Sequence, residues 1–421
     1  MKYQITRLEN GLTVATTEIP HMASVCLGIW VGIGGRYEPA EVNGISHFIE
    51  HMLFKGTARR TAKAISQAVE GIGGYLNAFT GEESTCFYAK ARYDRFEHLL
   101  DVLMDMFLQS TFEPSEIEKE RRVIKEELAM YLDQPHQHVQ ELLNETLWPN
   151  HPLGRALTGS ERTIDSMDRC RLLHYRHTNY VAADTLVTAA GNLRHSQVVK
   201  TIARYAPKFS VGKRPAFLPV DDEQRSPRVR LCAKKTAQMQ LALGIRTCSR
   251  HDDRRFALRL LNTLLGENMS SRLFQVVRED HGLAYSIHSS LGFFDDVGTL
   301  SISAGLDHDQ FPRVLKLVMQ QLKRFREKTP SAREMRQTRD FLIGQIDLSL
   351  ENSENQMMWL GDQLIGYGKV VPPREIKRRL GEVTRSEVRR VARDFFRPER
   401  MSLAIVSQIK SARGVERVLA M

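Results

Sequence analysis

Two rhythms of apolar spacing alternate along the first two hundred residues. A period of two runs from Tyr3 to Glu18 and breaks at Asn10-Gly11, which predicts a hairpin turning on that dipeptide. Ser24 to Val31 is a further strand, and Gly32, Gly34 and Gly35 then loosen the backbone. Asn43-Gly44-Ile45-Ser46 has helix-start chemistry, and a short, mostly apolar helix follows until Lys55-Gly56-Thr57 stops it. Ala62 to Ile72 has helical spacing through Ile65, Ala68 and Val69. Tyr75–Thr80 and Ser84–Ala89 read as paired strands. Arg95 to Gln109 gathers Leu99, Leu103, Met106 and Phe107 on one broad face, and Pro114 to Asp133 is a strongly charged helix. Pro135 predicts a loop, Ser166 to Tyr180 a helix, and Thr185 to Ala190 a strand.

Residues 207–227 are mixed in charge and punctuated by proline and glycine, so they predict a linker. Beyond it the same order returns: a helix at Arg254–Leu265, a strand pair within Ala284–Leu306, a long helix from Asp309, and another helix opened by Pro330-Ser331. Asp309-Gln310-Phe311 answers Asp94-Arg95-Phe96, and Pro330-Ser331 answers Pro114-Ser115. The expectation is a duplicated α+β fold with domains at 1–206 and 228–421.

Length and composition agree with this. A chain of 421 residues, 42% hydrophobic and 26% charged, can build two full cores. Its net charge of +10 is spread along the chain without a nucleic-acid recognition motif, so no nucleic-acid partner is expected; the charge favours acidic peptides. Five scattered cysteines read as reduced thiols. No stretch is long enough for a membrane span and the start lacks an apolar signal core, so the expected location is the cytoplasm, away from membranes.

The chemistry lies in the apolar helix. Its turn His47-Phe48-Ile49-Glu50-His51 is H-x-x-E-H, the inverzincin order. Residues i and i+4 share a helix face, so His47 and His51 can offer ring nitrogens to one ion, with Glu50 beside them to take a proton from attacking water. Two imidazoles favour zinc, and a catalytic zinc takes three protein ligands. A third ligand must therefore come from elsewhere. The charged helix offers Glu116, Glu118, Glu120, Glu126 and Glu127; Glu120 and Glu127, seven apart, share a face. His136 and His138 are rivals by type, but their i, i+2 spacing does not suit a helix.

The stretch from Gly44 to Thr57, with Val123-Ile124-Lys125-Glu126-Glu127-Leu128, resembles the pitrilysin and mitochondrial processing peptidase family of zinc peptidases, in particular its short two-domain members. That resemblance implies Glu127 as third ligand of one Zn2+ per chain and a supporting role for Glu120 among the catalytic groups. It implies that Asn77, Ala78 and Phe79 lie on an edge strand that pairs with the peptide substrate, with core packing the plainer expectation for Phe79. In the second copy, Ser271-Arg272-Leu273-Phe274 through Tyr285-Ser286 is also similar to the family. Arg278 and Tyr285 there match an Arg and a Tyr that reach the substrate. No H-x-x-E-H occurs in that copy, and the place of the glutamate pair falls near Gly344-Gln345. The implied protein is an endopeptidase with two homologous domains enclosing a cavity. It would work as a homodimer or as a heterodimer with an inactive homologue; the alternative is a non-catalytic, partner-dependent subunit.

Overall fold

Two mixed sheets, each clothed in helices, organise the computed structural model, which describes residues 2–221, 224–411 and 414–419. The first sheet contains β1 (Tyr3–Arg7), β2 (Thr13–Glu18), β3 (Ser24–Val31), β4 (Tyr75–Thr80), β5 (Thr85–Arg92) and β6 (Thr185–Gly191), in the order β1-β2-β6-β3-β5-β4. The second contains β7 (Arg228–Ala233), β8 (Met239–Thr247), β9 (Ala284–Phe293), β10 (Gly298–Leu306) and β11 (Met401–Ser407), in the order β7-β11-β8-β10-β9. In each sheet one pair is parallel, β2 with β6 and β7 with β11, and the other pairs are antiparallel. Removing β1 makes the two orders superimpose, which is the predicted duplication. Among the described residues no helix is long and apolar enough to cross a membrane.

The alternation of β3 explains how the first sheet is covered. Val25, Leu27, Ile29 and Val31 pack in one core with Phe48, Ile49, Met52 and Leu53, whereas Cys26 and Trp30 face the opposite side and pack with Met357 and Leu360. Those last two residues belong to helix Ser353–Tyr367, far along the chain. The approach is close: a Cβ on Gly361 would lie 2.0 Å from the Trp30 ring, which is itself held by a hydrogen bond from Nε1 to Thr188 Oγ1 (2.9 Å). The second sheet mirrors this. Leu241, Leu243 and Ile245 of β8 join the large helical core, and Ala242 on the other face packs with Leu143 and Leu147 of helix Pro135–Leu147.

The compact units are therefore not the contiguous halves 1–206 and 228–421. The first comprises Met1–Leu128, Arg155–Leu218 and Asp347–Pro372; the second comprises Ala129–Gly154, Pro219–Ile346 and Pro373–Met421. The predicted linker does contain the Leu218/Pro219 boundary, and its residues 222 and 223 lie outside the described residues. What the sequence did not reveal is that each half lends one helix to the bare face of the other half's sheet. A sheet buried on both faces needs two helical layers. Meeting that need also corrects the loop expected at Pro135. Proline occupies the first turn of helix Pro135–Leu147, where no amide donor is needed and its fixed φ suits the helix.

Several boundaries move by a few residues. The helix expected at 166–180 is Arg169–Asn179, preceded by the short helix Glu161–Asp165, and the helix expected at 254–265 runs as α-helix to Asn262 and then as a π-helical turn, Thr263–Glu267.

Candidate metal centre

The histidine helix, Ile45–Leu53, begins at Gly44, whose φ of +92° favours glycine and whose lack of a side chain leaves the first amides without a local cap. Glu38 supplies the acceptor instead. Its carboxylate takes the amide hydrogens of Gly44 (2.6 Å) and Ser46 (2.9 Å) and the side-chain amide of Asn43 (3.0 Å). With Phe48, Ile49, Met52 and Leu53 buried, the helix is fixed in rotation and presents His47 and His51 on its remaining face.

The partner is helix Pro114–Asp133, whose buried positions Ile117, Glu120, Ile124 and Leu128 form one stripe. Glu120 thus sits in the apolar stripe itself, and Glu127 lies at its margin. Glu127 Oε2 is 3.7 Å from His47 Nε2 and 3.6 Å from His51 Nε2, and these three residues are the one metal-sized cluster among the described residues. Such separations are too long for hydrogen bonds. They approach the spacing of about 3.3 Å expected between donors that each sit about 2.0–2.1 Å from a tetrahedral zinc. Three donors that converge without bonding one another fit a metal. Burial, then the neighbouring His51, depresses the His47 imidazole to about 4, against a smaller opposite pull from Glu127, so it stands neutral as a ligand must be.

Around the donors stand two more carboxylates. Glu120 accepts from His51 Nδ1 (3.0 Å) and from Lys55 Nζ (2.6 Å). Burial is the largest single influence and would raise its pKa, but those two hydrogen bonds and the charges of Lys55 and His51 together lower it. Glu120 thereby fixes the orientation of the His51 ring. Glu50 accepts from Thr80 Oγ1 at 2.5 Å; burial is the main cause of its raised pKa, with Glu127 adding to the rise and Thr80 and His51 opposing it.

Thr80 ends β4, which among the described residues pairs with β5 alone and forms an edge of its sheet. Asn77, Ala78 and Phe79 thus lie on an open edge, as expected. Phe79 departs from the core expectation: it is 39% exposed and meets Trp30 edge-on at 5.6 Å. Asn77 Oδ1 accepts from the Ala78 amide at 2.8 Å. His136 and His138 fall in the second unit, outside the cluster. In that unit Tyr285 is 76% exposed, and the Arg278 guanidinium lies over the rings of Phe274 (4.8 Å) and Tyr285 (5.9 Å). Sequence reasoning missed Glu38, Lys55 and Thr80. A glycine at the N-cap, with no acceptor of its own, was the signal for the first.

The fold and this constellation define an inverted-motif metallopeptidase architecture, and the comparisons agree. The pattern described as Insulinase (Peptidase family M16) matches residues 13–161, and that of the Peptidase M16 inactive domain matches 166–342. The chain is 35% identical over 399 residues to a protein named uncharacterized zinc protease YmxG of Bacillus subtilis (strain 168), covering 95% of this chain and 97% of that one. It is also 35% identical over 418 residues to a protein of the same description in Mycobacterium tuberculosis (strain ATCC 25618 / H37Rv), covering 98% and 95%. Among solved structures, a protease from Helicobacter pylori aligns with a TM-score of 0.90 at 19% identity, over 96% of this chain and 99% of that one. A Pseudomonas fluorescens structure titled as a peptidase M16 inactive domain aligns with a TM-score of 0.91 at 18% identity, over 98% and 99%. The chain belongs to peptidase family M16.

Proposed function

We propose that the protein is a zinc-dependent endopeptidase that hydrolyses peptide bonds in oligopeptides or unfolded segments, with Glu50 as general base. The observation that carries this reading is the convergence of His47, His51 and Glu127 beside a carboxylate bonded to the end of an open edge strand. The relatives' names, zinc proteases, support the metal and the reaction.

Zinc, when bound, supplies a Lewis acid for the scissile carbonyl and makes water acidic enough to attack at neutral pH. The chain's own residues do the rest. Strand β4 binds an extended backbone by adding it to the sheet, which requires an unfolded substrate. Thr80 holds Glu50 in one orientation, and Glu50 takes the proton of the attacking water and delivers it to the leaving amine. Glu120 accepts from His51 Nδ1, which keeps the Nε2 lone pair toward the metal. Arg278 and Tyr285 serve as substrate contacts in this reading, a guanidinium for carbonyl or carboxylate groups and a hydroxyl for the developing oxyanion; family resemblance and the exposure of Tyr285 support that assignment. The working form is a dimer of this chain, which light scattering on the purified protein would test against a monomer.

Cleavage of a quenched, mixed-sequence peptide library by the purified chain, run beside Glu50→Gln, tests the proposal. Chelator-sensitive cleavage that vanishes in the variant is expected. Activity that survives in Glu50→Gln, or none in zinc-loaded wild type, overturns it.

A further inference from the structure

The loop entering the histidine helix is fastened at both of its ends. At the far end, Glu38 is 2% exposed and caps the helix as described. At the near end, Arg36 is 1% exposed, an unusual place for a guanidinium with five donors to satisfy. Its Nη1 donates to Glu83 Oε1 (2.7 Å), its main-chain amide to the Glu82 carbonyl (2.8 Å), and its Nη2 to the Leu218 carbonyl (3.2 Å). The guanidinium lies 3.9 Å from the centre of the Phe217 ring, which Tyr37 meets edge-on at 6.0 Å.

These partners belong to two other parts of the first unit. Glu82 and Glu83 form the turn of the β4–β5 hairpin, and the Gly35 amide adds a further bond to the Gly81 carbonyl (3.1 Å). Phe217 and Leu218 belong to the connection that leaves the unit. Three residues before Phe217, Arg214 Nε pairs with the buried carboxylate of Asp184 at 3.0 Å. Residues 34–38 thus join the connection, the edge hairpin and the cap of the metal helix.

Ordinary packing would put an apolar side chain where Arg36 lies, since burying a charge is costly unless every partner is in place. Here one face of the guanidinium and one of its hydrogen bonds depend on the connection alone. If residues 217–218 lift away, the guanidinium exchanges the Leu218 carbonyl and the Phe217 ring for water, and residues 34–38, which carry the cap and hold the hairpin, lose that anchor.

We propose that Arg36 and Glu38 are positioning residues and that residues 214–218 act as a strap. Seated on Arg36, the strap holds the histidine helix and edge strand β4 in their working arrangement; unseated, it loosens both. The proposal rests on the metal-site reading above, so its readouts include zinc affinity, which needs no peptidase activity.

The test uses the full-length chain and three variants, with Lys213→Ala as a control on the exposed part of the same connection. Zinc affinity is measured by competition with a chromophoric chelator, turnover as kcat and KM on a quenched peptide, and folding as Tm. Phe217→Ala removes a half-buried ring. It should lower kcat about 3- to 30-fold, weaken zinc binding and leave Tm close to wild type. Arg36→Lys keeps the charge but not the fork and should behave likewise. Glu38→Gln should weaken zinc about 10- to 100-fold, the range expected when a residue that orients ligands is lost. Lys213→Ala should match wild type throughout. Wild-type zinc affinity in both Phe217→Ala and Glu38→Gln overturns the proposal, as does a loss in Phe217→Ala that only follows its Tm. If the wild type binds zinc but cleaves nothing, the functional reading fails while the affinity arm still judges the strap. If Glu38→Gln does not fold, Phe217→Ala decides the matter.

Discussion

The two units share a topology and differ in what they bury. The first hides the carboxylates Glu38, Asp105, Glu120 and Asp184; among the described residues of the second, no carboxylate is buried to that degree. The contrast sharpens where each edge strand meets its helix. In the first unit Thr80 donates to Glu50 at 2.5 Å, and in the second Ser289 Oγ donates to Asn262 Oδ1 at 2.8 Å. A neutral pair does the structural task without the desolvation penalty of a charge. Buried carboxylates therefore mark where the fold tolerates electrostatic cost, and in the first unit two of them, Glu38 and Glu120, bear on His51 or on the helix that carries it and His47.

The largest test of this contrast exchanges chemistry for structure. Glu50→Gln should lower kcat/KM by about 10²- to 10⁴-fold with zinc retained. Asn262→Ala should cost about 1–3 kcal/mol of stability, read by denaturant unfolding, with turnover per folded molecule unchanged. If Asn262→Ala abolished turnover in a folded protein, the division of labour would be wrong.

Next come the two lent helices. Gly361→Ala drives a Cβ into the pinned Trp30 ring and should cost about 3 kcal/mol, at the upper end of overpacking. Gly244→Ala meets the movable end of Leu147, 2.7 Å away, and should cost about 1 kcal/mol. Equal effects in urea titrations would contradict the tighter fit claimed for the first unit.

Tyr285→Phe should lower kcat about 10- to 100-fold on a peptide while zinc affinity stays unchanged, a loss below that of a full oxyanion-hole donor because the hydroxyl is open to water. A change in KM alone would reassign Tyr285 to simple binding.

The last effect concerns pH. Burial raises Asp184 to about 6, with Arg214 pulling the other way. A carboxyl whose folded pKa lies above its ordinary value binds its proton more tightly when folded, so stability falls as pH rises through 6 and is regained toward pH 4. Asp184→Asn should therefore gain about 1–2 kcal/mol at pH 7.5, after allowing for the lost pair with Arg214, and nothing at pH 4. Thermal melts at the two pH values would show it, and an equal gain at both would refute it.

Much of this was legible in the chain. The i, i+4 histidines, the glutamate between them and the two glutamates seven apart are local patterns that a helix must present on one face, and the structure brings His47, His51 and Glu127 together. Asn10-Gly11 and the strand Ser24–Val31 followed from turn chemistry and alternation just as directly. What escaped was non-local. Nothing near Gly361 announces that its backbone approaches Trp30, more than 300 residues away, and Pro135 reads the same whether it breaks a helix or starts one. Glu38 escaped for a related reason, since a carboxylate that caps a helix from six residues upstream has no fixed spacing to search for.

The lent helix also sets an order of events during synthesis. β3 leaves the ribosome early, yet the helix that covers its second face begins at Ser353, more than 300 residues later. Contacts of such long range form slowly, because the loop between them must close before they return any free energy. Until then Cys26, Trp30 and Leu186 line a bare apolar face, the kind of surface that chaperones and proteases survey. A chain stalled before residue 353 carries His47, Glu50, His51 and Glu127, yet it lacks the helix that closes this sheet, so quality control would meet it as an unfinished protein.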